Sequence, residues 1–229
     1  MKFGVVTFPG SNCDQDMIYV LKDLLGQKVE TLWHKDTDLK GADMVILPGG
    51  FSYGDYLRSG AIAKFSPIMT EVIKHANKGG YVMGICNGFQ ILTESGLLEG
   101  ALLHNNNQRF ICKNIHLKPV SKSAAITKDL NINHSYKIPI AHGEGRFYAS
   151  EETIKSIEDN DQVLFRYCSE NGEISDNFNP NGSLLNIAGI SNKTKNVFGM
   201  MPHPERAADE QLNNLDGRAF FESILKYCS

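Results

Sequence analysis

The chain has 229 residues, 41% apolar and 21% charged, with 21 glycines, enough material for one sizeable globular core. Its 23 basic and 26 acidic residues leave a net charge of −3 and form no basic stripe, which argues against nucleic acid as a partner. No apolar run reaches the ~20 residues of a membrane span. Five cysteines at 13, 86, 112, 168 and 228, with no C-x-x-C, argue against a disulfide framework and a zinc cage; no metal is expected, and a reducing cytoplasm suits them.

Lys2 to Phe8 reads as a β-branched strand closed by Pro9-Gly10, too short and too strand-like for a signal peptide. Ser11 is the expected N-cap of a helix carrying Met17, Ile18, Leu21, Leu24 and Leu25, ended by Gly26. Val29 to Trp33 is a second strand. Met44 to Leu47 is a third, continuously apolar and so buried on both faces, stopped by Pro48-Gly49-Gly50. A helix is expected near Gly60 and a longer one from Pro67 to Ala76, with proline at its first position. Tyr81-Val-Met83 is a strand that runs into Gly84-Ile-Cys-Asn-Gly88 and then into a helical pattern ending near Gly96. Alternating β and α with short connections predicts a mostly parallel sheet flanked by helices.

After Gly100 the rhythm changes. Strands are expected at Arg109 to Val120, Tyr136 to Ala141, Gln162 to Tyr167, Leu184 to Ile190 and Asn196 to Met201, with helices near Glu151 to Ile157 and Asp216 to Tyr227. Turn signals stand at Glu170-Asn-Gly172 and Asn179-Pro-Asn-Gly182. With no repeat, linker or low-complexity tract, residues 1–229 read as one domain: a three-layer α/β fold with a β-rich second half.

Gly84-Ile-Cys86-Asn-Gly88 has the form of a nucleophile elbow, G-x-nucleophile-x-G on a strand-to-helix turn, with cysteine for serine. Glycines two residues either side leave room where strand and helix would collide, and the helix N-terminus beside the sulfur favours thiolate. A packed structural cysteine is the plain alternative. Met200-Met-Pro-His203-Pro-Glu205-Arg206 holds a histidine between two prolines, with a carboxylate two residues on that can fix its tautomer; the alternative is a strand-ending surface loop. Leu47-Pro-Gly49-Gly50-Phe-Ser52 lacks the spacing of a phosphate loop. It suits an oxyanion hole made by the N–H groups of Gly50 and Asn87, though alone it equally reads as a tight turn. Ala141-His142-Gly-Glu144-Gly-Arg-Phe147 offers His142 as a rival base or a substrate contact.

Gly84-Ile-Cys-Asn-Gly-Phe-Gln90, Pro202-His-Pro-Glu205 and Pro48-Gly-Gly-Phe-Ser-Tyr-Gly-Asp55 together resemble the class I glutamine amidotransferases. His142-Gly-Glu-Gly-Arg146, Asn179-Pro-Asn-Gly-Ser183 with Ile187-Ala-Gly189, and Met200 to Arg206 narrow the resemblance to the glutaminase subunits of phosphoribosylformylglycinamidine synthases. The resemblance covers essentially the whole chain and implies a flavodoxin-like sheet and a triad of Cys86, His203 and Glu205. It implies substrate contacts from Gln90, Gly49, Asn106, His142 and Glu144. It further implies glutamine as substrate, a synthetase and a small third protein as partners, and ATP with Mg2+ acting on the synthetase, since this chain carries no cofactor or ATP motif. The rival readings are an independent cysteine hydrolase or deglycase, expected to place histidine directly after the nucleophile where Asn87 stands, and a non-catalytic regulatory scaffold.

Overall fold

The apolar runs of the first half become the parallel strands of one large sheet. In the computed structural model, which describes residues 1–228, the chain runs β1 (Lys2–Thr7), α1 (Asp14–Tyr19), β2 (Lys28–Trp33), β3 (Met44–Leu47), α2 (Pro67–Asn77), β4 (Tyr81–Ile85) and α3 (Asn87–Glu94). The second half adds β5 (Ala101–Leu103), β6 (Ile111–Pro119), β7 (Tyr136–His142), β8 (Arg146–Tyr148), α4 (Glu151–Asp159), β9 (Val163–Cys168), β10 (Ile187–Ser191), β11 (Val197–Met200) and α5 (Arg218–Tyr227).

Among the described residues, nine strands form the main sheet in the order β2-β1-β3-β4-β11-β10-β9-β6-β7; β5 and β8 pair separately. From β2 to β11 every pairing is parallel, and from β11 to β7 every pairing is antiparallel. The expected parallel sheet is therefore the half that carries the elbow, and the β-rich half continues it as an antiparallel extension. All four residues of β3 are buried, as an apolar strand covered on both faces requires. A continuous buried cluster runs from Phe3 and Val5 in β1 through Phe89 in α3 to Phe165 in β9 and Phe220 in α5. The chain-terminal helix seals the antiparallel half, where the Phe220 ring stacks on Phe165 at 5.1 Å and meets the edge of Tyr136 at 5.4 Å.

Several boundaries differ from the sequence expectations. Ser11 does not cap α1: its hydroxyl instead accepts the Phe8 N–H at 3.1 Å, and Cys13 occupies the cap. The helix continues past Tyr19 as a π-helical turn over Val20–Leu24, the wider i→i+5 pattern often found near functional sites. The helix expected near Gly60 is a single 3₁₀ turn at Ala63–Phe65. The strand expected from Leu184 begins at Ile187, after a 3₁₀ turn in which Leu185 takes φ 51°.

At the carboxyl ends of the parallel strands the loops after β1, β3, β4 and β11 converge. An isolated bridge joins Ser11 to Gly50, so the loops after β1 and β3 are held side by side. In the order 2-1-3 the chain leaves β1 for β2 on one side and returns to β3 on the other, the arrangement that opens a crevice at strand ends.

Candidate active site

Cys86 follows β4 directly and adopts φ 50°, ψ −106°, a backbone conformation that L-residues rarely hold. Helix α3 starts at the next residue, so the sulfur lies at a helix N-terminus, whose first N–H groups have no partner inside the helix. The flanking glycines are needed on distance grounds. A Cβ on Gly88 would stand 1.8 Å from the Leu47 carbonyl oxygen, and one on Gly84 would stand 2.6 Å from the Gly88 backbone. Cys86 is buried, 5% exposed, and its thiol donates to the Ala141 carbonyl at 3.7 Å.

The histidine arrives from the neighbouring strand. β11 pairs with β4 in parallel, with Met200 opposite Ile85, so Cys86 and His203 follow adjacent strands at the same end of the sheet. The Cys86 N–H donates to the Met200 carbonyl at 2.8 Å and the His203 N–H to Pro139 at 2.9 Å, which fixes both loops. His203 Nδ1–H donates to Glu205 Oε1 at 2.6 Å, with both side chains almost wholly buried. His203 Nε2 and Glu205 Oε2 have no hydrogen-bond partner among the described residues. Burial works against a charged imidazole here. Glu205, and then Cys86, outweigh it and hold the His203 pKa well above the usual histidine value. An imidazole held in one orientation by a buried carboxylate, beside a cysteine, can carry a proton to or from a group bound at the sulfur.

A cavity of about 170 Å³ opens over the sulfur, lined by Cys86, Gly50, Gln90, His142, Glu144 and Asp55 among others. Gly50 has φ +146° and its Cα packs on the loop after β1: a Cβ there would lie 2.8 Å from Ser11 Cα. Asn87 does more than offer a backbone N–H. Its side chain accepts the Ser52 N–H at 3.2 Å and donates to Gln90 Oε1 at 2.9 Å, tying the glycine loop to α3.

The other expected contacts divide. His142 and Glu144 line the cavity. Gln90 does too, but its amide is spent within the protein, since Nε2 donates to the Glu144 carbonyl at 2.6 Å. Gly49 passes behind the imidazole instead, where a Cβ would stand 2.7 Å from His203 Cε1. Asn106 is exposed and outside the lining. Its neighbour Asn105, fully buried, takes the structural role: Nδ2 donates to the carbonyls of Arg109 and His142 at 2.8 and 2.9 Å, and Oδ1 faces His142 Nδ1 at 3.0 Å. Three consecutive asparagines, 105 to 107, give no sequence signal for which one turns inward.

His142 is no match for His203 as a base. Burial, then the nearby His203, depress its pKa to about 4. Asn105 Nδ2 is committed to two carbonyls, so its Oδ1 must accept from His142 Nδ1. The neutral ring therefore presents Nε2 as an acceptor, and that atom is buried without a partner among the described residues.

Two residues outside the sequence expectations also meet here. Cys13, on the loop after β1, lies against His203 and accepts from Arg206 Nη2 at 3.0 Å. Ligand atoms of Cys13, His203 and Glu205 lie within 4.8 Å of one another, close enough for a metal set. The Glu205 oxygen is already bonded to Nδ1, and the Arg206 guanidinium is aimed at the sulfur, so a hydrogen-bonded network fits these contacts better than a cation does. Asp55, with φ 54°, stands in the cavity wall. Burial raises its carboxyl to about 6 against the opposing Ser59 hydrogen bond, and Glu144 adds to the rise.

Comparison with known proteins agrees with this geometry. Residues 1–223 match the family model described as the CobB/CobQ-like glutamine amidotransferase domain. The chain is 58% identical over 226 residues to the phosphoribosylformylglycinamidine synthase subunit PurQ of Trichormus variabilis, covering 99% of this chain and 97% of that one. It is 54% identical to the protein of the same name from Chlorobium chlorochromatii, covering 97% and 95%. Among solved structures, a chain of PurLQS from Thermotoga maritima superposes with a TM-score of 0.87 at 41% identity, covering 100% of this chain and 99% of that one.

Proposed function

The chain belongs to the CobB/CobQ-like glutamine amidotransferase family, and we propose that Cys86, His203 and Glu205 hydrolyse glutamine as its nucleophile, base and orienting carboxylate. It serves as the glutaminase subunit of phosphoribosylformylglycinamidine synthase, in purine biosynthesis, and works with a synthetase subunit. The observation that carries the chemistry is the junction of β4 and β11. Two adjacent parallel strands deliver a strained cysteine and a carboxylate-bound histidine to one end of the sheet.

The sulfur, as thiolate, attacks the side-chain amide carbon of glutamine. The N–H groups of Gly50 and Asn87 hold the oxyanion, each worth roughly 10²–10³ in rate. His203 gives a proton to the departing nitrogen, the carbon–nitrogen bond breaks, and ammonia leaves a γ-glutamyl thioester. His203 then takes a proton from water as its oxygen attacks that carbonyl. The carbon–sulfur bond breaks, glutamate leaves and the thiol is restored. Glu205 keeps the ring in the tautomer that both steps need.

Residues 1–229 act as one amidotransferase domain. The ammonia passes to the synthetase without entering bulk water, where protonation would end its nucleophilicity. ATP and Mg2+ act on that partner, where the carbonyl of formylglycinamide ribonucleotide is activated and converted to the amidine. A small third subunit completes the assembly, which works in the cytoplasm; no helix among the described residues is long and apolar enough to cross a membrane.

The test is Cys86→Ala in the complex reconstituted with synthetase and third subunit. Glutamine-dependent amidine synthesis is expected to vanish while ammonia-dependent synthesis persists. A surviving glutamine-dependent rate would mean that another group is the nucleophile.

A further inference from the structure

The glycine loop after β3 bends in an uncommon way just past Gly50. Tyr53 takes φ 55° and ψ 25°, Gly54 φ 71° and Asp55 φ 54°, a run of left-handed residues. Tyrosine and aspartate disfavour that region, so contacts from outside must hold the turn. Two of its main-chain bonds reach only a neighbouring loop, the one after β1. The Phe51 N–H donates to the Gly10 carbonyl at 3.0 Å and the Tyr53 N–H to the Pro9 carbonyl at 2.6 Å.

The Tyr53 side chain reaches further. Its hydroxyl lies 2.6 Å from His34 Nδ1 and 2.9 Å from Ser66 Oγ, so its one proton serves one partner and its lone pairs the other. The phenol ring meets the imidazole edge-on at 5.5 Å. His34 and Ser66 are both buried. His34 directly follows β2. Its N–H donates to the Thr7 carbonyl at the end of β1 at 3.1 Å, and its carbonyl accepts the Ile68 N–H from the first turn of α2 at 3.2 Å. Ser66 stands at the N-cap of α2, where a serine hydroxyl ordinarily accepts from the helix. Among the described residues it makes no such bond and faces Tyr53 instead. The His34 carbonyl thus gives the helix a partner, and the Ser66 hydroxyl is free for the loop.

We propose that Tyr53 is a positioning residue for the oxyanion site: held between His34 and Ser66, it fixes the glycine loop so that the Gly50 N–H stays in the wall of the cavity over Cys86. The inference rests on the reading of Gly50 as an oxyanion donor. Gly50 lines that cavity and Tyr53 does not, so the hydroxyl acts through the loop and not on the substrate. A donor aimed at developing charge works only within about 2.7–3.1 Å of it, so a small displacement is felt in the chemical step rather than in binding.

The experiment compares wild type, Tyr53→Phe, Ser66→Ala, their double variant and Gly50→Ala in the reconstituted complex. Tyr53→Phe keeps the ring and removes the hydroxyl. Its kcat for glutamine is expected to fall about ten- to a hundredfold, with KM within about threefold. Ser66→Ala should act in the same sense by less, and the double variant should be no slower than Tyr53→Phe alone, because both changes remove one contact. Alkylation of Cys86 by iodoacetamide, followed by peptide mass spectrometry, is the control. The thiolate displaces iodide at a saturated carbon and no oxyanion forms, so this rate should stay within about twofold of wild type. Ammonia-dependent synthesis reports that each complex is assembled. An unchanged kcat in Tyr53→Phe, a change confined to KM, an equal fall in alkylation, or losses that multiply in the double variant would overturn the positioning role. Gly50→Ala separates this from the reading beneath it. A Cβ there is strained at φ +146° and would lie 2.8 Å from Ser11 Cα, so it displaces the same loop directly. If Gly50→Ala leaves kcat intact, the oxyanion reading fails; if it lowers kcat while Tyr53→Phe does not, only the role of Tyr53 fails.

Discussion

At Cys86, His203 and Glu205 the chemistry is set by which nitrogen of one ring is left free. Glu205 Oε1 accepts the Nδ1–H hydrogen bond at 2.6 Å and stabilises the imidazolium, against the cost of burying it. Replacing Glu205 by glutamine removes the principal counter-charge while keeping the shape. Glutamine hydrolysis should fall roughly 10²–10⁴-fold, as for other triads that lose their orienting acid. Imidazole ¹⁵N resonances should show a ring that holds its proton above the normal histidine range in the wild type and loses it at lower pH in the variant. An unchanged titration would remove Glu205 from its role. Asp55 behaves in the opposite sense. Its folded carboxyl is raised from 3.8 to about 6, so the folded chain binds that proton more tightly than the unfolded one. Stability from this group is therefore greatest at low pH and declines as pH rises through that window. Asp55→Asn should unfold at a higher temperature than wild type at pH 7, and the gap should close below about pH 4. That Cys86, His203 and Glu205 would meet was legible in the sequence because Gly-x-Cys-x-Gly and Pro-His-Pro-Glu state both residue and backbone constraint. Asp55 was not, because nothing in Tyr53-Gly-Asp55 signals that the loop turns the carboxyl inward at φ 54°.

At the level of elements, the elbow works because α3 can sit against the end of β3. A Cβ on Gly88 would meet the Leu47 carbonyl oxygen at 1.8 Å, a contact that no side-chain rotation relieves. Gly88→Ala should therefore destabilise the fold by roughly 3 kcal/mol, seen as an earlier midpoint in urea, and should lower glutaminase activity more than its folded fraction accounts for. A variant of wild-type stability and activity would show that the strand–helix approach is looser than described. The strands and helices that position the site were readable from apolar runs and glycine punctuation. β5 and β8 were not, since three residues each give too little pattern to separate from a loop. The π-helical turn after α1 was equally silent, because its apolar spacing still matches an ordinary helix.

Across the whole molecule, the antiparallel half is a brace for the parallel one. It presents the Ala141 carbonyl to Cys86, the Pro139 carbonyl to the His203 N–H, and the Asn105–His142–Gly145 cluster to the cavity wall. That half is closed by α5, whose Phe220 lies between Phe165 and Tyr136. Phe220→Ala should cost roughly 3–5 kcal/mol in denaturant unfolding, with KM for glutamine little changed in the fraction that stays folded, because the ring touches nothing in the cavity lining. The sequence announced the change of rhythm after Gly100 but not that its strands extend the same sheet: the two halves are joined by the pairing of β11 on β4, Val197 opposite Val82, far from any local signal. The central claim remains that the Cys86 sulfur is the nucleophile, and Cys13, a second cysteine close to the same imidazole, is the sharpest control. Incubating the protein with a diazoketone analogue of glutamine and mapping the adduct by peptide mass spectrometry tests it directly. The account predicts one adduct, on Cys86, blocked by excess glutamine and absent in Cys86→Ala. An adduct on Cys13, or none under conditions where glutamine is turned over, would contradict it.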